Sequence, residues 1–125
     1  MKCLIDTNVM IWFTEDSPLL PEYIRELIID DDNEIYVSIA SLWEIAIKHS
    51  LGKLDLKINL DDFFTILRDS FCFNFLSINT EHILLQSNLP FHHRDPFDRM
   101  IYAQGVVENM EFLYTDKVFD LYRSA

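Results

Sequence analysis

Chain breakers are scarce. The 125 residues include two glycines and four prolines, too few to build a flexible linker, and no internal repeat or low-complexity tract occurs. One domain over residues 1–125, large enough to bury a real core, is therefore expected. Cysteine is nearly absent too. Cys3 and Cys72 lie in apolar surroundings at no metal-like spacing, which excludes a disulfide framework and a thiolate metal centre. Both are expected as buried thiols in a reducing cytoplasm. No apolar run is long enough to span a bilayer, so no membrane association is expected. Asp6 interrupts the only candidate signal-peptide core, in MKCLIDTN, and a cytoplasmic location follows as the expectation. Cations are the largest deficit. Ten Lys and Arg face 21 Asp and Glu, for a net charge of −11. That excludes a protein holding nucleic acid by broad electrostatics. It leaves room for an enzyme that meets phosphates through bound metal and a few local cations.

What is abundant is apolar side chain, 50% of the sequence against 25% charged, a globular composition. Short apolar runs alternate with helical patterns. KCLID (2–6), EIYVS (34–38), Phe73 to Ile78 and MEFLYT (110–115) read as strands. Helices are expected over about 8–14, from Leu19 to Ile29, from Ser38 or Ser41 to about His49, over 60–68, from Thr80 to about Ser87, and over 96–108. Gly52 suits the position just past a helix end. DDDN at 30–33 reads as a polar turn. Strands alternating with helices predict an α/β fold, a parallel sheet with helices on both faces. Trp12, Phe13, Trp43, Leu51 and Leu54 are assigned to the core by default, although some could line a groove for a partner.

In such a fold, ligand sites lie at the carboxyl ends of the strands. Asp6 ends the first strand and Asp116 follows the fourth. Asp98 lies in the first turn of a returning helix. Glu44 lies one to two turns into another, its side chain leaning back toward the helix start. Four elements thus each send one carboxylate to one rim. Each acid also has an ordinary explanation, as a cap or a solvated helix residue. In HHRDPFDRMIYAQ, Asp95 suits an N-cap, Pro96 the first helical position and Asp98 the third. Taken together, half-buried acids that repel one another must take up protons or share cations. An oxygen-only group favours a hard ion, Mg²⁺ or Mn²⁺. The natural reaction of such a site is phosphodiester hydrolysis.

LIDTNVMIW, VSIASLWEIAIKHSLGKL, HHRDPFDRMIYAQ and LYTDKVF, in this order and spacing, closely resemble the PIN-domain ribonucleases. They look in particular like VapC-type toxins of bacterial type II toxin–antitoxin pairs. The likeness runs nearly end to end. It implies a PIN-like three-layer α/β/α fold with a short parallel sheet of four or five strands. It implies Mg²⁺-dependent endonucleolytic cleavage of RNA by Asp6, Glu44, Asp98 and Asp116, with Asp98 rather than Asp95 in the metal group. It also implies a small homodimer and a cognate antitoxin.

Around these acids, Thr7 and Asn8 could orient Asp6 or a metal water, Asn8 preferred because an amide both donates and accepts. Thr115 could bond a neighbouring acid, and Ser41 could steady Glu44. Asp95 keeps a capping role, with an outer-shell contact as an option. Lys48, four residues after Glu44, reads as an ion pair or a phosphate contact. Arg94, Arg99 and Lys117 flank the rim as candidates for RNA contact. His92 and His93 are expected to be exposed loop residues, because their neighbours supply no third nitrogen or sulfur. Two other readings stay open. A signalling receiver domain suits the length and acidity, but its third strand should end in an aspartate, and FLSINTE has none. A catalytically silent PIN-like binding module would show no Mg²⁺ or Mn²⁺ binding.

Overall fold

The computed structural model describes residues 1–123. Four strands form one sheet: β1 (Lys2–Ile5), β2 (Glu34–Ser38), β3 (Asn74–Leu76) and β4 (Glu111–Leu113). All neighbours are parallel, in the order β3-β2-β1-β4. The chain moves outward from β1 to β2 to β3, then returns to place β4 on the other side of β1. The reversal between β1 and β4 is the switch point at which open α/β sheets leave a crevice. This order differs from the 2-1-3-4-5 of flavodoxin-like folds, which removes the receiver reading.

Alternation along the strands sorts side chains into two cores. Cys3, Ile5, Ile35, Val37 and Leu113 face one side. They pack with Val9 and Met10 of α1 (Thr7–Thr14), Ile24 and Ile28 of α2 (Glu22–Ile29), Leu42 and Ile45 of α3 (Ile39–Ser50), and Phe63 and Leu67 of α4 (Leu60–Asp69). Leu4 and Phe112 face the other side, against Ile101 of α6 (Pro96–Val107), Phe119 and Tyr122. Helix α5 (Thr80–Asn88) packs along α6. A 3₁₀ turn (Lys117–Phe119) and α7 (Asp120–Arg123) follow β4. Helices on both faces of a parallel sheet give the three layers expected.

Local chemistry sets the ends. Asp6, Ser38 and Asp95 each accept a backbone N–H at the start of α1, α3 and α6, so Ser38 rather than Ser41 opens α3. Gly52, at φ 72°, takes the left-handed conformation past the end of α3. Strands three and four are shorter than the apolar runs suggest, because pairing to the sheet stops while apolar residues continue. Helix α2 begins three residues later than Leu19, after Pro21.

Three burial expectations are corrected. Cys3 is buried, but Cys72 is exposed at φ 59°, in the turn between α4 and β3. Trp43 and Leu51 are exposed at 61% and 62%: Trp43 lies on α3 with only its ring edge against Phe97, and Leu51 lies just past the end of that helix. Trp12, Phe13 and Leu54 pack partly buried against the first core, as expected. No helix among the described residues is long and apolar enough to cross a membrane.

Candidate functional site

Asp6 follows β1 at the switch point, and its backbone N–H bonds to the Leu113 carbonyl of β4 at 3.0 Å. One carboxylate oxygen accepts the Val9 N–H at 2.7 Å, which caps α1 and aims the side chain along the crevice. Asp116, beyond β4, uses Oδ1 to accept the Val118 N–H at 3.0 Å and starts the 3₁₀ turn in the same way. Capping and site membership are therefore not alternatives at these positions. The cap holds one oxygen and leaves the other for something else.

Asp95 and Asp98 divide the work differently. Asp95 Oδ1 accepts the N–H groups of Phe97 and Asp98, at 2.8 and 3.4 Å. Asp98 sits in the first turn with its carboxylate turned into the crevice. Glu44 reaches it from α3, 7% exposed. Its Oε1 accepts from the Thr7 hydroxyl at 2.8 Å and its Oε2 from Lys48 Nζ at 2.8 Å. Ser41 Oγ lies 3.0 Å from Thr7 Oγ1, so Ser41 reaches Glu44 only through Thr7.

Asp6, Thr7, Asn8, Glu44, Lys48, Asp95, Asp98, Asp116 and Phe119 line one small cleft of about 130 Å³. Its electrostatics are strained. Burial pushes the Asp6 carboxyl up to about 6, the backbone N–H groups of Val9 and Thr115 oppose that, and the Asp116 and Glu44 charges add to it. Burial pushes Asp98 up to about 7, with the Asp95 charge next, His93 opposing, and Glu44 and Asp6 adding. Acids whose charged forms are disfavoured by burial, and further by one another, are acids that a cation would relieve. The donors are almost all carboxylate oxygens, which fits a hard divalent ion.

Two expectations fail here. Arg99 is no surface cation. It is 3% exposed, and its guanidinium donates to the carbonyls of Pro90, Gln86, Leu89 and His93. A residue on the inward face of α6 cannot meet RNA. His93 is no exposed loop residue. Its side chain is 13% exposed, and Nε2 lies 3.0 Å from Asp98 Oδ2 and 3.1 Å from Asp116 Oδ2. Among the described residues, His93, Asp98 and Asp116 form a group whose potential ligand atoms all lie within 4.8 Å of one another. Ligand spacing along the chain gave no hint of this, since the partners of His93 are acids five and 23 residues away. The available signal was its place two residues before the cap of the helix that carries Asp98.

Other assignments are refined. His92 is exposed, with its ring against Tyr122. Thr7, rather than Asn8, bonds an acid, while Asn8 is exposed at the cleft. Thr115 serves Asp6 through its backbone N–H. Arg94 is exposed next to Asp95. Lys117 is exposed and lines a neighbouring hollow with Tyr23, Thr115 and Asp120.

A family profile described as PIN domain matches residues 3–124. The fold is similar to a solved structure of VapBC2 from Rickettsia felis bound to a DNA fragment from the promoter. That match has a TM-score of 0.63 and 14% identity, over 90% of this chain and 86% of the other. It is also similar to FitAcB from Neisseria gonorrhoeae, with a TM-score of 0.59 and 19% identity, over 88% and 84%. No curated protein matches significantly in sequence.

Proposed function

The chain belongs to the PIN-domain family, and from that premise we propose that it is a Mg²⁺-dependent endoribonuclease, the toxin of a toxin–antitoxin pair. One observation carries the catalytic part. Asp6, Glu44, Asp98 and Asp116 come from four separate elements to one small polar cleft at the switch point of the sheet. The raised carboxyls of Asp6 and Asp98 support a cation as the missing partner.

In this reading Asp6 and Asp116 would hold the ion through the oxygens their caps leave over, Asp98 would hold it from the first turn of α6, and Glu44 would complete the group. Such an ion would acidify a water and screen the charge of a phosphodiester. Mn²⁺ suits the same donors. Lys48, already 2.8 Å from Glu44, is 45% exposed and can turn to a substrate phosphate. Arg94 and Lys117 supply further local cations at the rim. Contacts this few suit a chain of net charge −11, which must bring RNA in by the site rather than by its general surface.

The toxin role is supported by likeness of fold to VapBC2 and FitAcB. A cognate antitoxin is the expected partner, a homodimer the expected assembly and the cytoplasm the expected location. Trp43 on α3 and Leu51 just past its end are exposed and available for such contacts.

The test is cleavage of RNA by the purified protein with Mg²⁺, with chelator, and as Asp98→Asn. Cleavage that needs the metal and disappears in the variant is expected. Undiminished, chelator-insensitive cleavage by a folded Asp98→Asn protein overturns the assignment.

A further inference from the structure

We propose that His93 is a positioning residue of the acid cleft, a fixed hydrogen-bond donor that holds Asp98 and Asp116 together for one divalent ion without binding the ion itself. This rests on the metal-dependent reading above.

The tautomer follows from the contacts. His93 Nδ1 lies 3.3 Å from the Asp95 backbone N–H, which can only donate, so Nδ1 accepts and carries no proton. The ring proton of the neutral imidazole is then on Nε2. That N–H donates to Asp116 Oδ2 at 3.1 Å, and Asp98 Oδ2 lies 3.0 Å from the same nitrogen. To become a metal ligand, Nε2 would have to lose this proton to Nδ1 and turn Asp95 N–H into a repulsive contact. As a donor, the ring instead offsets repulsion between two carboxylates from separate elements. It leaves them lone pairs for a cation, since each carboxylate has about four acceptor sites. Ligating carboxylates are commonly oriented by such outer partners.

The backbone around His93 is fixed to match. Its N–H donates to the Tyr122 hydroxyl at 3.0 Å, and its carbonyl accepts from Arg99 Nη1 at 3.3 Å. The Tyr122 hydroxyl donates to the Pro90 carbonyl at 2.8 Å, and Arg99 Nη1 reaches the same carbonyl at 2.9 Å. The imidazole also lies against the Phe119 ring, centroids 5.1 Å apart. Arg99, displaced from the RNA-contact role by its burial, thus acts by clamping the loop that presents His93.

The experiment loads the full chain with Mn²⁺ and reads two quantities. Pulsed electron spin resonance reports whether an imidazole nitrogen is bonded to the ion. None is expected, and an imidazole nitrogen directly bonded to the ion in the unaltered protein overturns the proposal. Calorimetry reads affinity. His93→Ala should weaken Mn²⁺ binding by about tenfold or more. His93→Gln, whose amide N–H can replace Nε2–H, should recover most of it, and Tyr122→Phe should lose part. Unchanged affinity in folded His93→Ala overturns the proposal, as does failure of Gln to exceed Ala. The resonance measurement on the unaltered protein decides even where a variant does not fold. If the unaltered protein binds no Mn²⁺, the metal-dependent reading itself fails, and this one with it.

Discussion

His82 and His93 are bonded in the same way and sit in opposite circumstances. Each accepts a backbone N–H at Nδ1, from Asn79 at 3.1 Å and from Asp95 at 3.3 Å. Each presents Nε2 to carboxylate, Glu108 at 2.8 Å for the first, Asp98 and Asp116 for the second. His82 is fully buried, completes a capping box at the start of α5, and meets one acid. Its network closes on itself, with Gln104 beside it and Ser38 bonded to Gln104. His93 meets two acids, with Asp6 and Glu44 in the same cleft, and the negative charge there exceeds what one ring can balance. One donor pattern thus staples a helix pair in the first case and prepares a cation site in the second. The surplus of charge separates them, not the geometry of the ring.

The largest effect should break the charged side of this pair. Asp98→Asn or Asp6→Asn should reduce RNA cleavage to background while leaving the fold intact, read by gel assay beside thermal melting. Removing a like charge should leave the metal-free melting temperature equal or higher. Next comes the structural histidine. His82→Ala strands the Asn79 N–H and leaves a cavity, so it should cost about 2–4 kcal/mol in urea unfolding. It should not alter Mn²⁺ affinity of the folded fraction. A change in that affinity would erase the distinction drawn here.

The third effect is a pH dependence belonging to the cleft alone. Asp6 and Asp98 have folded-state values raised to about 6 and about 7, above the ordinary 3.8. The folded state therefore holds protons that the unfolded chain has released, and stability falls as pH rises across that window. The favourable contribution is complete below about pH 4 and gone above about pH 7. Asp6 alone accounts for roughly 3 kcal/mol of it, with a further, solvent-screened share from Asp98. Denaturant titrations at several pH values, with and without Mg²⁺, should show the loss only without the ion. The smallest effect concerns the rim: Arg94→Ala and Lys117→Ala should each weaken RNA binding several-fold and lower its salt dependence by about one ion.

The sequence made the sheet and the acids legible because both rest on local rules. Apolar runs alternating with helical patterns predict a parallel sheet, and residues just beyond strands or in first helical turns must lie at one edge of it. Asp6, Asp98 and Asp116 are readable on that basis. What could not be read depends on which way a helix faces. Sequence alone misplaces Arg99 and Trp43, because burial on α6 and α3 is decided by neighbours distant in the chain. Arg99 is an extreme case, a charge met by carbonyls from a loop and the end of α5, with the Tyr122 hydroxyl and the Phe91 ring beside it. His93 was misread for a related reason. Its partners lie on two other elements, and neither is recognisable as a partner until the elements are assembled.

The central claim is that the four carboxylates together hold a divalent ion. Crystals grown with Mn²⁺ and measured for its anomalous scattering test it most directly. The account predicts a peak in the cleft, within coordinating reach of carboxylate oxygens of Asp6, Glu44, Asp98 and Asp116. A well-ordered cleft with no peak at saturating Mn²⁺, or with the ion held elsewhere, would contradict it.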